Sequence, residues 1–294
     1  MNEDVLQQYL LSVQDTMEEY KKSFRAVHQI NTTEKTQNDV GYEVTVQTLT
    51  VLKNMLIEKV GYIDKSSISL ENGFNDIDSL KSALNKYKFN NRDIVENNSS
   101  LIQPIPIVVI VTLDKKKILC IKKTKQSTSN DSPESGKLLF YAGGHTRLED
   151  ATSETKHNFI KTAKNTLERE IFEELGISIA LENIQPSFCL YTPEYSSKSQ
   201  KHLAIGWIVE LPENTKFNLD SYEIIQKKGT SKSGCFMSFR EIEEMFIKKS
   251  NHLFESWSKE ILLKYFSKHF SKHFIENIDN VTYSYQMSVF DDEE

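Results

Sequence analysis

One segment of the chain combines side-chain types and spacing that could do chemistry: residues 169–177, which read Arg-Glu-Ile-Phe-Glu-Glu-Leu-Gly-Ile. A helix with about 3.6 residues per turn places Glu170, Glu173 and Glu174 at positions i, i+3 and i+4, so the three carboxylates share one face. Gly176 is well placed to end this helix in the left-handed conformation. The positions beside the carboxylates are apolar: Leu167, Ile171 and Leu175. The segment is therefore predicted to be a helix that packs on one stripe and presents three carboxylates next to it.

The three carboxylates have two interpretations. They could be a solvated face, which is the usual environment of helical charges. However, like charges three or four residues apart cost about 0.2–0.5 kcal/mol per pair, and anions in the last helical turn cost about 0.3–1 kcal/mol each against the helix dipole. A bound divalent cation reverses both effects, and clustered carboxylate oxygens suit Mg²⁺ or Mn²⁺. The residues alone leave a solvated face and a metal site as alternatives.

The segment resembles the second half of the Nudix hydrolase signature, Arg-Glu-apolar-x-Glu-Glu-x-Gly-apolar, and matches it at every specified position from Arg169 to Ile177. The first half of that signature is a glycine followed, after five residues, by a glutamate. Here the register is ambiguous, because five residues separate Gly143 from Glu149 and also separate Gly144 from Asp150. The resemblance covers about 150 residues of the chain, roughly 104–250.

The chain departs from the signature between its two halves. There are 18 residues between Asp150 and Arg169, where the family pattern has seven, which is an insertion of 11 residues, or of 12 if counted from Glu149. The polar run at 152–158 (TSETKHN) predicts a lengthened loop, with the helix resuming near Phe159. The carboxylate face is then intact, while the parts that Glu149 and Asp150 play are left open.

The resemblance implies a set of site residues and an activity. In Nudix enzymes the helix glutamates hold Mg²⁺ or Mn²⁺ against a diphosphate, so Glu170, Glu173 and Glu174 would be metal ligands and catalytic residues, and the backbone carbonyl of Gly143 would complete the ligand set. Arg169 would orient a carboxylate through its forked guanidinium. The ions would neutralise phosphate charge and lower the pKa of a bound water. The implied activity is hydrolysis of a phosphoanhydride bond in a nucleoside diphosphate derivative or a related phosphorylated compound.

Other residues are candidates for contact with this substrate. Those expected in the binding site are Gly144, His145 and Tyr191, and the aromatic residues Tyr195 and Trp207 are further candidates for base stacking. The alternation of residues in His202–Leu211 favours core packing for Trp207. The general base expected in such enzymes could be Glu194 or Glu223, although an ordinary surface position is the alternative for each.

The elements around these residues divide the chain into three parts. Residues 1–100 are predicted to be a helical region of unknown role, 101–250 a Nudix-like catalytic domain, and 251–294 a C-terminal helix packed on that domain followed by an acidic tail. The expected fold is α/β (α+β), a mixed-sheet α/β/α sandwich between the helical flanks. The helices outside the site are predicted over 5–20, Tyr42–Ile63, Asp76–Tyr87, Arg240–Lys249 and Glu255–Phe274. The strands are predicted over 105–113, 118–124, Lys137–Ala142, Gln185–Tyr191 and His202–Leu211.

Composition narrows the classes of partner. The formal net charge is −6 and there is no basic block, which argues against a nucleic-acid partner. The longest apolar run, 105–113, is about half of the ~20 residues that a membrane helix needs, and the N-terminal residues do not read as a secretory signal. Three widely spaced cysteines, Cys120, Cys189 and Cys235, indicate free thiols and a cytoplasmic protein. A homo-oligomer formed through the helical flanks is a further expectation.

Two other functions remain open alongside hydrolysis. A Nudix-like domain without catalysis could sense a nucleotide and signal through the N-terminal helices, although a sensor has no need of all three glutamates. The isomerase branch that shares this fold requires a catalytic cysteine, and no motif marks Cys120 or Cys189 for that role. His269 and His273 have a spacing that can bind zinc on a helix, but a packing stripe of Phe266, Phe270 and Phe274 explains that segment more simply.

Overall fold

The computed structural model describes residues 58–122, 137–219, 236–249 and 254–278. Its strands are β1 (Lys59–Asp64), β2 (Gly73–Asn75), β3 (Lys88–Asn91), β4 (Leu101–Thr112), β5 (Lys117–Leu119), β6 (Ile121–Lys122), β7 (Leu138–Leu139), β8 (Ala142–Gly143), β9 (Phe188–Tyr191), β10 (His202–Leu211) and β11 (Phe236–Ser238). Its α-helices are α1 (Ile77–Leu84), α2 (Arg92–Glu96), α3 (Phe159–Leu175), α4 (Phe239–Lys249), α5 (Ser256–Phe266) and α6 (Lys272–Ile278). Several predictions lie outside the described residues: the helix over 5–20, most of the helix over 42–63, Glu223, Cys235 and the acidic tail.

β4 is the central strand of the sheet, and every one of its residues is buried. It is rich in β-branched residues, which suit a strand covered on both faces. β10 runs parallel to β4 over its full length, from the pair His202–Gln103 to the pair Leu211–Thr112. In the described residues the sheet order is β11-β5-β4-β10-β9-β2, and β1 and β8 also pair with β4 in the antiparallel sense.

Helices pack against this sheet. The ring of Tyr141, just before β8, packs against that of Trp257 in α5, with centroids 5.9 Å apart. Gly144, just after β8, lies against Glu170 in α3, and α3 contacts both β4 and β8. The predicted α/β class, with a mixed sheet between helices, is confirmed.

The predicted helix of the acidic segment is also confirmed. α3 begins at Phe159, where the polar run at 152–158 ends, and it ends at Leu175. Gly176 follows with φ 64°, the left-handed conformation that glycine adopts without steric cost. Asp76 caps α1, because its carboxylate accepts hydrogen bonds from the backbone N–H groups of Asp78 and Ser79.

The structure corrects two predictions of helix. The described residues before 101 are not helical throughout, because they form β1, β2 and β3 as well as two short helices. β1 pairs with β4 and β2 pairs with β9, so long-range strand pairing overrides the local helical periodicity. The predicted helix Glu255–Phe274 is interrupted after Phe266 by a 3-10 turn. None of the helices in the described ranges has the length and apolar character needed to cross a membrane.

Candidate active site

The acidic face of α3 is held in place from both ends of the helix. Asn158 begins the helix by accepting a hydrogen bond from the backbone N–H of Lys161, at 3.1 Å. At the other end, the backbone N–H of Gly176 donates to the carbonyl of Phe172, at 3.0 Å. The stripe facing the sheet is completely buried: Phe159, Ala163, Leu167, Ile171 and Leu175. This packing fixes the direction in which the neighbouring carboxylates point.

Arg169 makes a two-point ion pair with Asp150. Its Nε lies 2.8 Å from Oδ1 of Asp150, and its Nη2 lies 2.9 Å from Oδ2. The Asp150 side chain is 4% exposed and the Arg169 side chain 18% exposed, so the pair is largely removed from water. Burial alone would lower the pKa of Arg169, but the hydrogen bonds to Asp150 and the negative charge of Glu170 hold that pKa above its ordinary value. Arg169 is therefore a permanent cation at the base of the site.

Asp150 has further partners that fix its position. Oδ2 accepts hydrogen bonds from Oγ1 of Thr166 at 3.0 Å and from the backbone N–H of Arg147 at 2.8 Å. The backbone carbonyl of Asp150 accepts from Nδ2 of Asn165, at 2.9 Å. Glu149, by contrast, is exposed. Asp150, and not Glu149, is thus the acidic residue that meets Arg169 of the helix.

The three glutamates occupy different environments along the face of α3. Glu174 is 2% exposed and Glu170 is 9% exposed, whereas the side chain of Glu173 is 47% exposed. Arg169 reaches two of them through Nη1, which lies 2.7 Å from Oε1 of Glu170 and 3.2 Å from Oε2 of Glu173. The predicted orienting contact of Arg169 with carboxylates is present, and it involves Asp150 as well as the helix glutamates.

Gly144 makes room for the Glu170 carboxylate. A Cβ atom at position 144 would lie 2.6 Å from Oε1 of Glu170 and 2.7 Å from its carboxyl carbon. A Cβ at Gly143 would instead meet the backbone of the central strand, 2.3 Å from the carbonyl oxygen of Pro106. Glycine at position 144 therefore leaves space for the Glu170 carboxylate, whereas glycine at position 143 allows the close approach of β8 to β4. The proposed use of the Gly143 carbonyl as a ligand stays a prediction.

The donor chemistry of this face fits a hard divalent cation. The side-chain donors are carboxylate oxygens, which Mg²⁺ and Mn²⁺ prefer, and the space beside Gly144 keeps the Glu170 carboxylate against the chain at 143–144. In the described part of the chain, no group of three or more His, Cys, Asp or Glu residues is arranged closely enough to hold a metal ion. The glutamates are spread along the helix face, and Arg169 bridges Glu170 and Glu173.

The predicted substrate-binding residues differ in their position relative to the acidic face of α3. The carbonyl of His145 accepts from Nη2 of Arg169 at 3.1 Å, so this residue lies at the edge of the acidic face. Its ring contacts the ring of His202, with centroids 5.6 Å apart, and its Nε2 is 3.9 Å from Oε1 of Glu96. Tyr191 is buried in β9, and its hydroxyl donates to the carbonyl of Gln200 at 3.0 Å.

The remaining candidates are mostly structural. Trp207 is fully buried and donates from Nε1 to the carbonyl of Ile184, at 3.3 Å, so its predicted place in the core is confirmed. Tyr195 is 41% exposed and donates to Glu260 at 3.1 Å. Glu194 is exposed. The ring of His269 stacks on that of Phe239, with centroids 4.5 Å apart, and His269 lies in the 3-10 turn rather than on one helix with His273.

The cysteines are free thiols where the structure describes them. Cys189 is fully buried in β9, and burial raises the pKa of its thiol to about 12. Since the thiolate is the nucleophilic form, such a thiol is inert near neutral pH. Cys120 lies between β5 and β6 and is half-buried.

Sequence reasoning missed His202, whose ring contacts that of His145, and Gln103, which pairs with His202 across β4 and β10. The available signal was one amide, Gln103, within the otherwise apolar run 101–111. It had no apparent connection with the site, because the register that joins β4 to β10 cannot be read from either strand alone.

Solved structures similar to this chain include several described as Nudix proteins. Tm1382, a proposed Nudix hydrolase, is 19% identical, with a TM-score of 0.45 over 69% of this chain and 95% of that chain. A MutT/nudix family protein from Enterococcus faecalis is 15% identical, with a TM-score of 0.29 over 44% of this chain and 46% of that chain. A UDP-X diphosphatase is 13% identical, with a TM-score of 0.31 over 97% of each chain.

No family model matches the chain, and no curated protein matches it at a significant level. At such low identities and TM-scores, the structural likenesses support no function for this chain. Its function has to be inferred from the residues of the site.

Proposed function

We propose that this chain is a Nudix-type hydrolase that uses Mg²⁺ or Mn²⁺ to cleave a phosphoanhydride bond in a nucleoside diphosphate derivative or a related phosphorylated compound. The substrate is then a nucleotide-like small molecule, and the site is the acidic face of α3 with the chain at 143–150.

The position of Asp150 is the observation that carries this proposal. The motif is split by an insertion, and a chance match of its second half would give no reason for the first half to lie beside it. Instead, Arg169 holds Asp150 at 2.8 and 2.9 Å, and Gly144 lies directly against Glu170. Residues separated in sequence thus meet, which supports the proposal that both halves of the motif belong to one site.

Each residue of this site has a definable task. Arg169 keeps a constant positive charge between Glu170 and Glu173, which limits their mutual repulsion and fixes their direction. Asp150 balances that charge from the buried side. Glu170 and Glu174, both buried, and the more exposed Glu173 would hold the metal ion. A divalent cation bound there supplies charge neutralisation for the diphosphate and a bound water of lowered pKa.

A product-release screen tests the proposal. Nucleoside diphosphate derivatives, dinucleotides and sugar nucleotides are incubated with the protein and Mg²⁺ or Mn²⁺, and we expect turnover of at least one compound that stops when the ions are chelated. In the Glu173→Gln variant, kcat should fall by at least about 100-fold. Stability should change little, because the Glu173 side chain is 47% exposed. Glu168→Gln, an exposed glutamate on the same helix, is the matched control and should retain activity.

The screen also separates the proposal from the alternative of a nucleotide sensor. Measurable nucleotide binding without turnover of any compound would favour the sensor. Turnover that survives both chelation and Glu173→Gln would contradict the metal assignment. Neither result depends on identifying the natural substrate first.

A further inference from the structure

Gln103 is a buried amide in the central strand with unused hydrogen-bonding capacity. It is completely buried, and among the residues that the structure describes neither Nε2 nor Oε1 of its side chain has a hydrogen-bond partner. The rest of β4 is dominated by apolar residues. A buried polar atom without a hydrogen-bond partner is costly, so a buried amide at such a position is suited to a partner from outside the described residues, such as a ligand.

A chain of contacts connects Gln103 with the proposed active site. Gln103 is the strand partner of His202 across the parallel pair β4–β10, and partners in a parallel pair direct their side chains to the same face of the sheet. The ring of His202 contacts that of His145, at 5.6 Å. The carbonyl of His145 is in turn bound by Arg169, at 3.1 Å. His202 and His145 therefore link the strand position of Gln103 to the residue that Arg169 binds.

The two histidines of this row are more exposed than the amide. Gln103 is completely buried, whereas His202 and His145 are both half-buried. A ligand whose phosphates lie on the acidic face would extend past His145 and His202 to reach Gln103.

The chemistry of a carboxamide identifies the kind of ligand. It offers one acceptor oxygen and a donor NH₂ side by side. Nucleobase edges carry a donor next to an acceptor, and a carboxamide pairs with such an edge through two hydrogen bonds, as glutamine does with adenine. A base that displaces the His145–His202 contact would satisfy both atoms of the amide and lie against imidazole rings.

We propose that Gln103 is a specificity-determining residue that reads the nucleobase of the substrate, with His145 and His202 lining the approach. This inference rests on the proposed function for its substrate class, because it assigns the base of the same nucleotide whose diphosphate would lie on the acidic face. It makes the recognised ligand a nucleotide rather than a base-free phosphorylated compound.

Calorimetric binding to the full chain tests this inference without requiring hydrolysis. The probes are AMP, GMP, UMP and CMP, with ribose 5-phosphate as the base-free comparison. Gln103→Leu removes both polar atoms, and we expect its Kd for the preferred nucleotide to rise about 10- to 100-fold relative to its Kd for ribose 5-phosphate. Gln185→Leu, the same change at an exposed glutamine, should leave both Kd values unchanged.

A thermal melt distinguishes a damaged fold from lost recognition. Because Gln103→Leu removes unpaired buried polar atoms, its Tm should equal or exceed that of the wild type. Gln103→Glu, which keeps the shape and loses the donor, should also lower nucleotide selectivity.

The outcomes separate this inference from the proposed function. If the wild type hydrolyses a nucleotide and Gln103→Leu does not change its preference for nucleotide over ribose 5-phosphate, the inference fails and the proposed function stands. If nucleotide binding depends on Gln103 but no compound is hydrolysed, the inference stands and the hydrolase proposal fails. If the wild-type protein binds none of the four nucleotides, the proposal that Gln103 recognises the nucleobase is wrong.

Discussion

The guanidinium of Arg169 donates two hydrogen bonds to the carboxylate of Asp150, although 18 residues separate the two in the chain. The inserted residues form a polar turn and the first turns of α3. Arg169 therefore lies further along the helix, where it is again next to Asp150. Asn165 and Thr166, one turn before Arg169, also bond Asp150. The pair therefore fastens the loop at 144–150 to the helix.

This contact predicts a stability defect in Asp150→Asn. Removing one partner of a buried ion pair leaves an uncompensated charge and costs about 3–5 kcal/mol. We expect a loss near the lower end, about 3 kcal/mol, because Arg169 keeps Glu170 and Glu173 as partners. Urea unfolding measures it. Glu149→Gln, at the exposed neighbouring position, should change the free energy of unfolding by less than about 0.5 kcal/mol, and equal effects of the two substitutions would argue against the pairing.

Gly144→Ala should reduce activity more than stability. The new Cβ would lie 2.6 Å from the Glu170 carboxylate, which is the far end of a flexible side chain and can move. The fold is then largely preserved, while Glu170 is displaced from its place beside Arg169. A 10-fold or greater loss of kcat/KM is expected, of the size seen when an outer partner of a metal ligand is removed (about 10- to 100-fold).

The matched control for that variant is Gly61→Ala. A Cβ at Gly61 would find its nearest neighbour at 3.5 Å, an ordinary contact, so activity should persist. If the activity of Gly144→Ala matches that of Gly61→Ala, then the space beside Glu170 is not needed for catalysis. If Gly144→Ala unfolds the protein, the predicted preservation of the fold is wrong.

The sequence predicted the part of the site that depends on local periodicity. The three glutamates, the apolar stripe and Gly176 are governed by helical geometry and capping, so the face of α3 could be derived without knowledge of the rest of the fold. The bounds of β10 followed equally from the alternation in His202–Leu211.

The features that the sequence could not predict depend on contacts between residues far apart in the chain. The expected helix Tyr42–Ile63 overlaps β1, which is a strand because it pairs with β4. The choice between Glu149 and Asp150 depended on which one meets Arg169 after the insertion. The link from Gln103 through His202 to His145 depends on the register of β4 and β10 and on a ring contact, and neither is encoded in a local pattern.

The thiol of Cys189 predicts a specific dependence of stability on pH. Burial raises its pKa to about 12 from an ordinary value of 9.0. Below about pH 9 the thiol is protonated in both the folded and the unfolded chain, and the full stability is present. Above that pH the unfolded chain loses the proton first, so stability falls by up to about 1.4 kcal/mol per pH unit as the pH rises toward the folded pKa.

Urea unfolding between about pH 8 and pH 10.5, in wild type and Cys189→Ala, measures this dependence. The Ala variant should show a shallower decline, whatever its stability at pH 8. Cys120→Ala, at a half-buried position, is the comparison. Identical slopes for wild type and Cys189→Ala would mean that Cys189 ionises in the folded protein, which would reopen the possibility of a reactive cysteine.

Gly176→Ala tests how far the acidic face depends on the end of α3. Gly176 has φ 64°, where an L side chain costs about 1–2 kcal/mol. A Cβ at position 176 would also lie 2.6 Å from Cβ and 2.8 Å from the backbone oxygen of Asn218, so the last helical turn has to shift.

Gly73→Ala separates the backbone cost from the steric clash. Gly73 has φ 97° but open space around it, so its substitution should show the backbone cost alone. We expect Gly176→Ala to lower the free energy of unfolding further than Gly73→Ala and also to lower kcat, since Glu173 and Glu174 lie in the shifted turn. Equal losses of stability with full activity would show that the acidic face does not depend on this helix end.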